Sequence, residues 1–184
     1  MRKTKLEKLN QEIRNCKKCS LWKTRGKVVP GEGPINAKIM VLGQAPGFEE
    51  SKTGRPFVGR AGKFLNKLLR IAKIKREKIF ITSPIKCFPP KNRKPTKKEI
   101  EVCLPYLKKQ IEIINPQKFI LLGEVAFSVF FPNEKLSNFR GKWITLQQTQ
   151  GRKGFFITYH PAAGLRFPKI KKILEKDFGK MKIQ

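Results

Sequence analysis

Acidic residues are scarce in this chain. Against 42 lysines and arginines it has only 13 aspartates and glutamates, leaving a net charge of +29 over 184 residues. Thermal adaptation tends to raise glutamate together with lysine, so the missing acids exclude it as a full account of the charge. A polyanion partner explains the imbalance better. Nucleic acid is the usual one, and an anionic membrane surface is the lesser alternative. Long apolar runs are also missing: none approaches the roughly 20 residues of a membrane span, and residues 1–15 are charged rather than signal-like. A cytoplasmic protein without membrane association is expected. There is a single histidine, His160, so any step that needs an imidazole must use it. The cysteines number four, and in a reducing compartment they read as ligands rather than disulfides. With neither internal repeat nor dividing linker, residues 1–184 are expected to form one domain.

What is present alternates between two periods. Residues 39–42, 79–82, 118–122 and 155–159 read as four short apolar strands. Helices are expected over 3–15 (Leu6, Leu9, Ile13), over 62–74 (Phe64, Leu65, Leu68, Leu69, Ala72) and from Thr96 to Ile114. The last of these sits behind a Thr96/Glu99 capping box, with Pro105 as an alternative first turn. A short helix around 125–130 and a lysine-rich final helix complete the set, and residues 132–153 read as loop or hairpin. The alternation predicts an α/β fold: a three-layer αβα sandwich around a central, mainly parallel four-stranded sheet.

The strongest site signal lies between Lys38 and Gly62. An apolar strand breaks into a loop holding Gly43, Gly47, Gly54, Gly59 and Gly62, with Phe57 among them outside any helical or strand period. Loops leaving the carboxyl end of parallel strands are where α/β proteins place ligands. The loop reads as one wall of a pocket for a flat polar ring. Phe57 is placed to stack at roughly 1–3 kcal/mol, and the Gln44 amide to bond a ring edge or hold a water. The plainer alternatives are a phenylalanine that anchors the loop and an amide that braces it. His160 follows the last strand in a turn fixed by Pro161, where it could equally cap a sheet edge. Cys16 and Cys19 form a C-x2-C pair, and Cys87 and Cys103 are separated by fifteen residues. Four thiolates suit either Zn²⁺ or a [4Fe–4S] cluster, and the spacing does not separate them. Two basic stretches, Lys91 to Lys98 and Arg166 to Lys172, flank these loops and read as phosphate contacts.

Read in order, C-K-K-C, V-V-P-G-E-G, G-Q-A-P-G, K-T-G-R-P-F-V-G-R-A-G, I-K-C-F-P-P-K-N-R-K-P and H-P-A-A-G-L-R resemble the family 4 uracil-DNA glycosylases, the iron–sulfur group. The resemblance runs from Cys16 to about Pro168 and implies a glycosylase-like fold. It assigns a [4Fe–4S] cluster to Cys16, Cys19, Cys87 and Cys103, in a structural role that shapes a basic loop facing DNA. It implies a monofunctional, monomeric enzyme of base excision repair acting on single- or double-stranded DNA. Such an enzyme flips uracil out and hydrolyses the N-glycosidic bond, leaving an abasic site. By the same resemblance Phe57 stacks on the base, Gly43, Ala45 and Gly47 surround it, and Ser83 meets its edge. His160 donates to the charge developing on a uracil oxygen, and Gln44 handles the water. Lys91 and Arg93 contact DNA, while Leu165 and Arg166 belong to a loop that fills the vacated space.

Departures from the family pattern fall within the chemistry. Gln44 stands where glutamate is usual, and Gln cannot accept a proton from water at neutral pH. Ser83 stands where asparagine commonly pairs with the uracil edge, and Ser51 replaces an acid, with Glu49 and Glu50 nearby. Relaxed base preference toward other deaminated bases is expected from these changes. The competing expectation is a catalytically weak or inactive lesion-binding module of the same fold. A covalent uracil-DNA trap through His160 is disfavoured because no added basic loop precedes the histidine.

Overall fold

The computed structural model describes residues 1–181, so residues 182–184 of the expected domain lie outside the described residues. The chain opens with α1 (Arg2–Arg14), followed by β1 (Ile39–Leu42), the short α2 (Phe48–Thr53) and α3 (Arg60–Ile71). Next come β2 (Ile79–Thr82), α4 (Lys97–Ile114) and β3 (Lys118–Leu122). Two short helices, α5 (Glu124–Ser128) and α6 (Leu136–Phe139), lead to β4 (Trp143–Gln148) and β5 (Gly151–Thr158). The chain closes with α7 (Pro161–Arg166) and α8 (Pro168–Lys180). No helix among the described residues is long and apolar enough to cross a membrane.

The sheet has five strands in the order β2-β1-β3-β5-β4. β1, β2, β3 and β5 run parallel, and β4 lies antiparallel on the edge of β5. This corrects the four-stranded expectation. Residues 149–150 make a tight turn that folds β4 onto the first half of β5, where Gly151, Arg152 and Lys153 carry little apolar signal to mark a strand. Each central strand is apolar on both faces, as a sheet covered twice requires. Met40, Leu42, Phe119, Leu121, Phe155 and Ile157 pack to one side with Leu107 and Phe127. Val41, Ile81, Ile120, Leu122 and Phe156 pack to the other with Leu65, Leu68, Leu174 and Phe178.

The outer edge of β2 is covered as well. Glu32 exchanges both backbone hydrogen bonds with Ile81, and Gly31 and Gly33 adopt φ of +130° and +139° to let this segment lie close. Without it β2 would be an open strand edge. Helix α4 begins where expected: Thr96 Oγ1 accepts the Glu99 N–H at 3.2 Å and the Glu99 carboxylate accepts the Thr96 N–H at 2.8 Å. Pro105 therefore lies inside the helix rather than at its start. The carbonyl it leaves unbonded belongs to Glu101, on the exposed side. Helix α1 packs on α4 through Leu9 and Ile13, which join Leu21, Ile85 and Tyr106 in a third apolar cluster. That packing carries Cys16 and Cys19 to the neighbourhood of Cys87 and Cys103.

Candidate active site

Four parallel strands end side by side, and the residues that follow them meet. Gly43 donates its N–H to the Thr82 carbonyl at 3.0 Å, and Gly123 donates to the Thr158 carbonyl at 2.8 Å. The loop after β1, Ser83 after β2, Gly123 after β3 and His160 after β5 thus share one rim of the sheet. Gly123, at φ +85°, lets this backbone approach the histidine: a Cβ there would stand 3.0 Å from His160 Cβ.

The loop from Gly43 to Gly62 is held by a carboxylate. Glu50 accepts the Gly47 N–H at 3.1 Å through one oxygen, and the Val58 and Gly59 N–H groups, each at 2.8 Å, through the other. Arg76 grips the same segment, donating to the Pro56 carbonyl at 2.7 Å and to Asn66 Oδ1 at 2.8 Å. Arg76 and Arg55 both pair with Glu32, at 3.0 and 2.8 Å. Burial works to raise the Glu32 carboxyl, but these hydrogen bonds outweigh it and hold it below its ordinary value. Between the clamps Phe57 takes the left-handed conformation, φ +52°, which costs a residue with a Cβ about 1–3 kcal/mol. Gly62 packs directly on it: a Cβ at residue 62 would lie 1.9 Å from the Phe57 carbonyl oxygen.

The Phe57 ring faces Gly43, where a Cβ would meet its Cζ at 2.7 Å and His160 Nε2 at 3.6 Å. The Phe57 and His160 rings are nearly parallel with centroids 5.7 Å apart. A flat ring between them would require about 7 Å, two van der Waals layers. His160 is therefore a wall beside Phe57 rather than opposite it. The histidine is only partly exposed, and burial pushes its imidazole down to about 4, with Glu50 offsetting part of the shift. It is neutral at physiological pH. Its Nδ1 accepts the Ala162 N–H at 3.2 Å, so the remaining proton sits on Nε2, on the side facing Gly43. The strand behind it is anchored by Asp177, which accepts from Thr158 Oγ1 at 2.7 Å and from Arg140 at 2.7 Å.

Gln44 is half-buried, and its side-chain amide has no hydrogen-bond partner among the described residues. Ala45 packs with the third apolar cluster, beside the cysteines. Ser83 is buried, and its hydroxyl donates to the Ile85 carbonyl. Lys86, fully buried, donates to Thr82 Oγ1 at 2.6 Å, to the Ser83 carbonyl at 2.8 Å and to Gln110 Oε1 at 2.6 Å. Burial pushes its ammonium down to about 7, with Cys103 offsetting part of the shift. Sequence reasoning missed Glu50, Arg76, Lys86 and Asp177 as organising residues. Two signals were available: Gly47 and Glu50 have capping-box spacing, and Asp177 is the one aspartate in the chain.

All four cysteines line one cavity, with Ile13, Trp22, Arg25 and Tyr106. None is in a disulfide. Arg25 donates to Cys87 Sγ at 3.2 Å, and burial pushes the Cys103 thiol up to about 11. Among the described residues no group of three or more histidine, cysteine or acidic side chains is set to hold a single metal ion. Four sulfurs ring this shared space, with the Tyr106 side chain beside them.

The basic rim is less uniform than expected. Lys91 and Lys94 are exposed. Arg93 instead forms a two-pronged pair with Glu99, at 2.9 and 2.7 Å, and those bonds lead in holding the Glu99 carboxyl at about 2. Asn92 abuts the pocket loop, its Oδ1 3.7 Å from a Cβ placed on Gly47. Leu165 and Arg166 are exposed on the last turn of α7 rather than in a loop.

Residues 30–179 match the sequence pattern of the uracil DNA glycosylase superfamily. The chain belongs to that superfamily. It is 46% identical over 183 residues to the type-4 uracil-DNA glycosylase of Saccharolobus solfataricus, covering 96% of this chain and 85% of that protein. The type-4 enzyme of Sulfurisphaera tokodaii is 44% identical, covering 96% and 83%. That of Thermotoga maritima is 40% identical over 179 residues, covering 96% and 93%. The superfamily match spans the pocket loop, Ser83 and the His160 turn, while Cys16 and Cys19 precede it.

Two outcomes are expected from this geometry. Gly62→Ala, which cannot fit without moving Phe57, should cost about 1–3 kcal/mol in urea unfolding; an unchanged midpoint would mean that the loop yields freely. With one histidine in the chain, ¹⁵N-imidazole spectra read His160 directly. They should report the neutral Nε2–H form unchanged from pH 8 down to 5.5, with protonation only as the pH approaches 4.

Proposed function

We propose that this superfamily member is a DNA-repair uracil-DNA glycosylase, working as a one-domain cytoplasmic monomer. The observation that carries the reading is a neutral His160, donating through Nε2, held beside Phe57 over Gly43. The net charge of +29 suits a DNA substrate. The enzyme takes the uracil nucleotide out of the stack, at an unpairing cost of a few kcal/mol. The ring settles against Phe57, with the Gly43–Gly47 backbone around it. The C1′–N1 bond breaks heterolytically and its electron pair leaves with uracil, whose oxygen gathers negative charge. The His160 Nε2–H donates to that oxygen. A donor fixed in place before the reaction needs no reorganisation as charge develops. Water adds to the oxocarbenium carbon and releases its proton, leaving an abasic site.

Ser83 and Gln44 set the limits of this site. The Ser83 proton is committed to Ile85, so its oxygen offers only lone pairs. Those accept the ring N–H of uracil, hypoxanthine or xanthine but meet no donor on the bare ring nitrogen of cytosine. Gln44 holds a water without accepting its proton. Lys91, Leu165 and Arg166 contact DNA, while Arg93 shapes the loop that carries Lys91. The cysteine cavity fits a [4Fe–4S] cluster, with Cys16, Cys19, Cys87 and Cys103 as its ligands. The group supplies a structural brace for the loop between Cys87 and the start of α4.

Single-turnover cleavage of oligonucleotides containing uracil, hypoxanthine or xanthine, developed with alkali, tests the reading. Uracil should be released, with some product from the purines. Gln44→Glu should raise the rate by about 10²- to 10⁴-fold, the range of general-base catalysis. Salt-sensitive binding with no product on any substrate, by wild type or Q44E, would identify a lesion-binding module instead. Aerobically purified protein should be yellow-brown with broad visible absorption, lost in Cys87→Ser. A colourless, zinc-loaded protein would overturn the cluster assignment.

A further inference from the structure

Apart from Met1, five large apolar side chains lie exposed among the described residues: Trp22, Phe48, Ile71, Leu165 and Phe167. Lys17 sits over the Trp22 ring at 5.2 Å, and Phe48 contacts Phe88 and Lys52. Phe167 differs. At 56% exposure it is the most exposed aromatic side chain, and no ring or cation contact among the described residues involves it.

Its presentation is rigid. Gly164, one turn earlier, is wedged where a Cβ would strike Phe64 at 2.7 Å and Leu174 at 2.8 Å. The Phe167 N–H donates to the Ala163 carbonyl at 2.9 Å, and its carbonyl accepts the Lys171 N–H at 3.1 Å. Pro168 follows and holds residue 167 extended, at φ −125° and ψ 110°. The ring therefore stands on a fixed corner between α7 and α8, seven residues after His160. Arg166, Lys169, Lys171 and Lys172 lie within five residues of it along the chain, all exposed. A face so charged, on a chain of +29, repels a second copy of itself and attracts a polyanion.

We propose that Phe167 is a second wedge residue, which stacks on the base left unpaired on the opposite strand when uracil is extruded. The inference rests on the glycosylase reading above. Extrusion leaves two unsatisfied surfaces, the gap on the uracil strand and the face of the orphaned base. Leu165 can fill the gap but has no π-face. Phe167, two residues further along a backbone that spans at most about 7 Å over that distance, supplies one. Stacking of this kind tolerates any orphaned base, since every base has a π-face.

Wild type, Phe167→Ala and Phe167→Trp would be compared on three substrates: a U·G duplex, a duplex with an abasic site opposite uracil, and single-stranded DNA. F167A should lose roughly 5- to 150-fold in kcat/KM on the U·G duplex, the range of one stacked base, and F167W should retain activity. On the other two substrates F167A should match wild type. Equal losses on all three, or no loss on the duplex, would overturn the assignment. A fluorescence arm separates this outcome from failure of the glycosylase reading. With 2-aminopurine opposite uracil, binding of wild type should quench the emission that F167A leaves bright, whether or not uracil is released. Identical emission with both proteins would also overturn the proposal.

Discussion

The pocket depends on where the two oxygens of Glu50 go. One takes the N–H that opens α2, and the other takes two consecutive N–H groups before α3. A loop rich in glycine is closed at both ends by one side chain. Hydrogen bonds to a charged acceptor are worth about 1.5–3 kcal/mol each before coupling, enough to offset the left-handed backbone of Phe57. The ring is then where it is because the carboxylate is, and His160 has a neighbour to lie against. An acid so fully used has both oxygens turned to the loop backbone and none toward Gln44.

Electrostatics around the site follow from burial as much as from charge. Burial keeps His160 neutral, and the Ala162 N–H decides which nitrogen keeps the remaining proton. Burial weakens the hold of Lys86 on its proton too, down to about 7, while its three N–H groups are taken up by Thr82, Ser83 and Gln110. Lys86 connects the end of β2 to α4 and lies beside Cys87, so the segment that carries Ser83 and the region that rings the cysteines share a buried polar network. Most of the large positive charge stays outside, on lysines whose environment is solvent. The chain thus separates its two electrostatic tasks, a neutral donor within and a cationic field without.

Much of this could be read from residues alone, for identifiable reasons. Ile39–Leu42 and Lys118–Leu122 announce themselves because strands covered on both faces must be apolar at every position. Thr96 and Glu99 give away α4 because capping is local chemistry. Where the determining partner is distant, the sequence is silent. Arg93 looks like any other cation in a basic run, and only folding turns it onto Glu99. The first half of β5 is polar and borrows its strand character from β4. Phe57 and His160 were both legible as pocket residues. Their mutual distance was not, and at 5.7 Å between centroids it leaves no room for a flat ring between them.

Asp177 gives the fold a mechanical property. The last helix is joined to the end of β5 by the packing of Leu174 and Phe178 with Phe156 and by that one carboxylate, which Thr158 and Arg140 both address, and His160 follows Thr158 by two residues. If α8 peels away, a threonine hydroxyl and a guanidinium lose their shared acceptor, and the end of the strand that leads to the histidine loses its side-chain tie. The C-terminal helix, remote from the base in sequence, acts as a latch on the reaction, so partial unfolding there would silence the enzyme while most of the sheet is still intact.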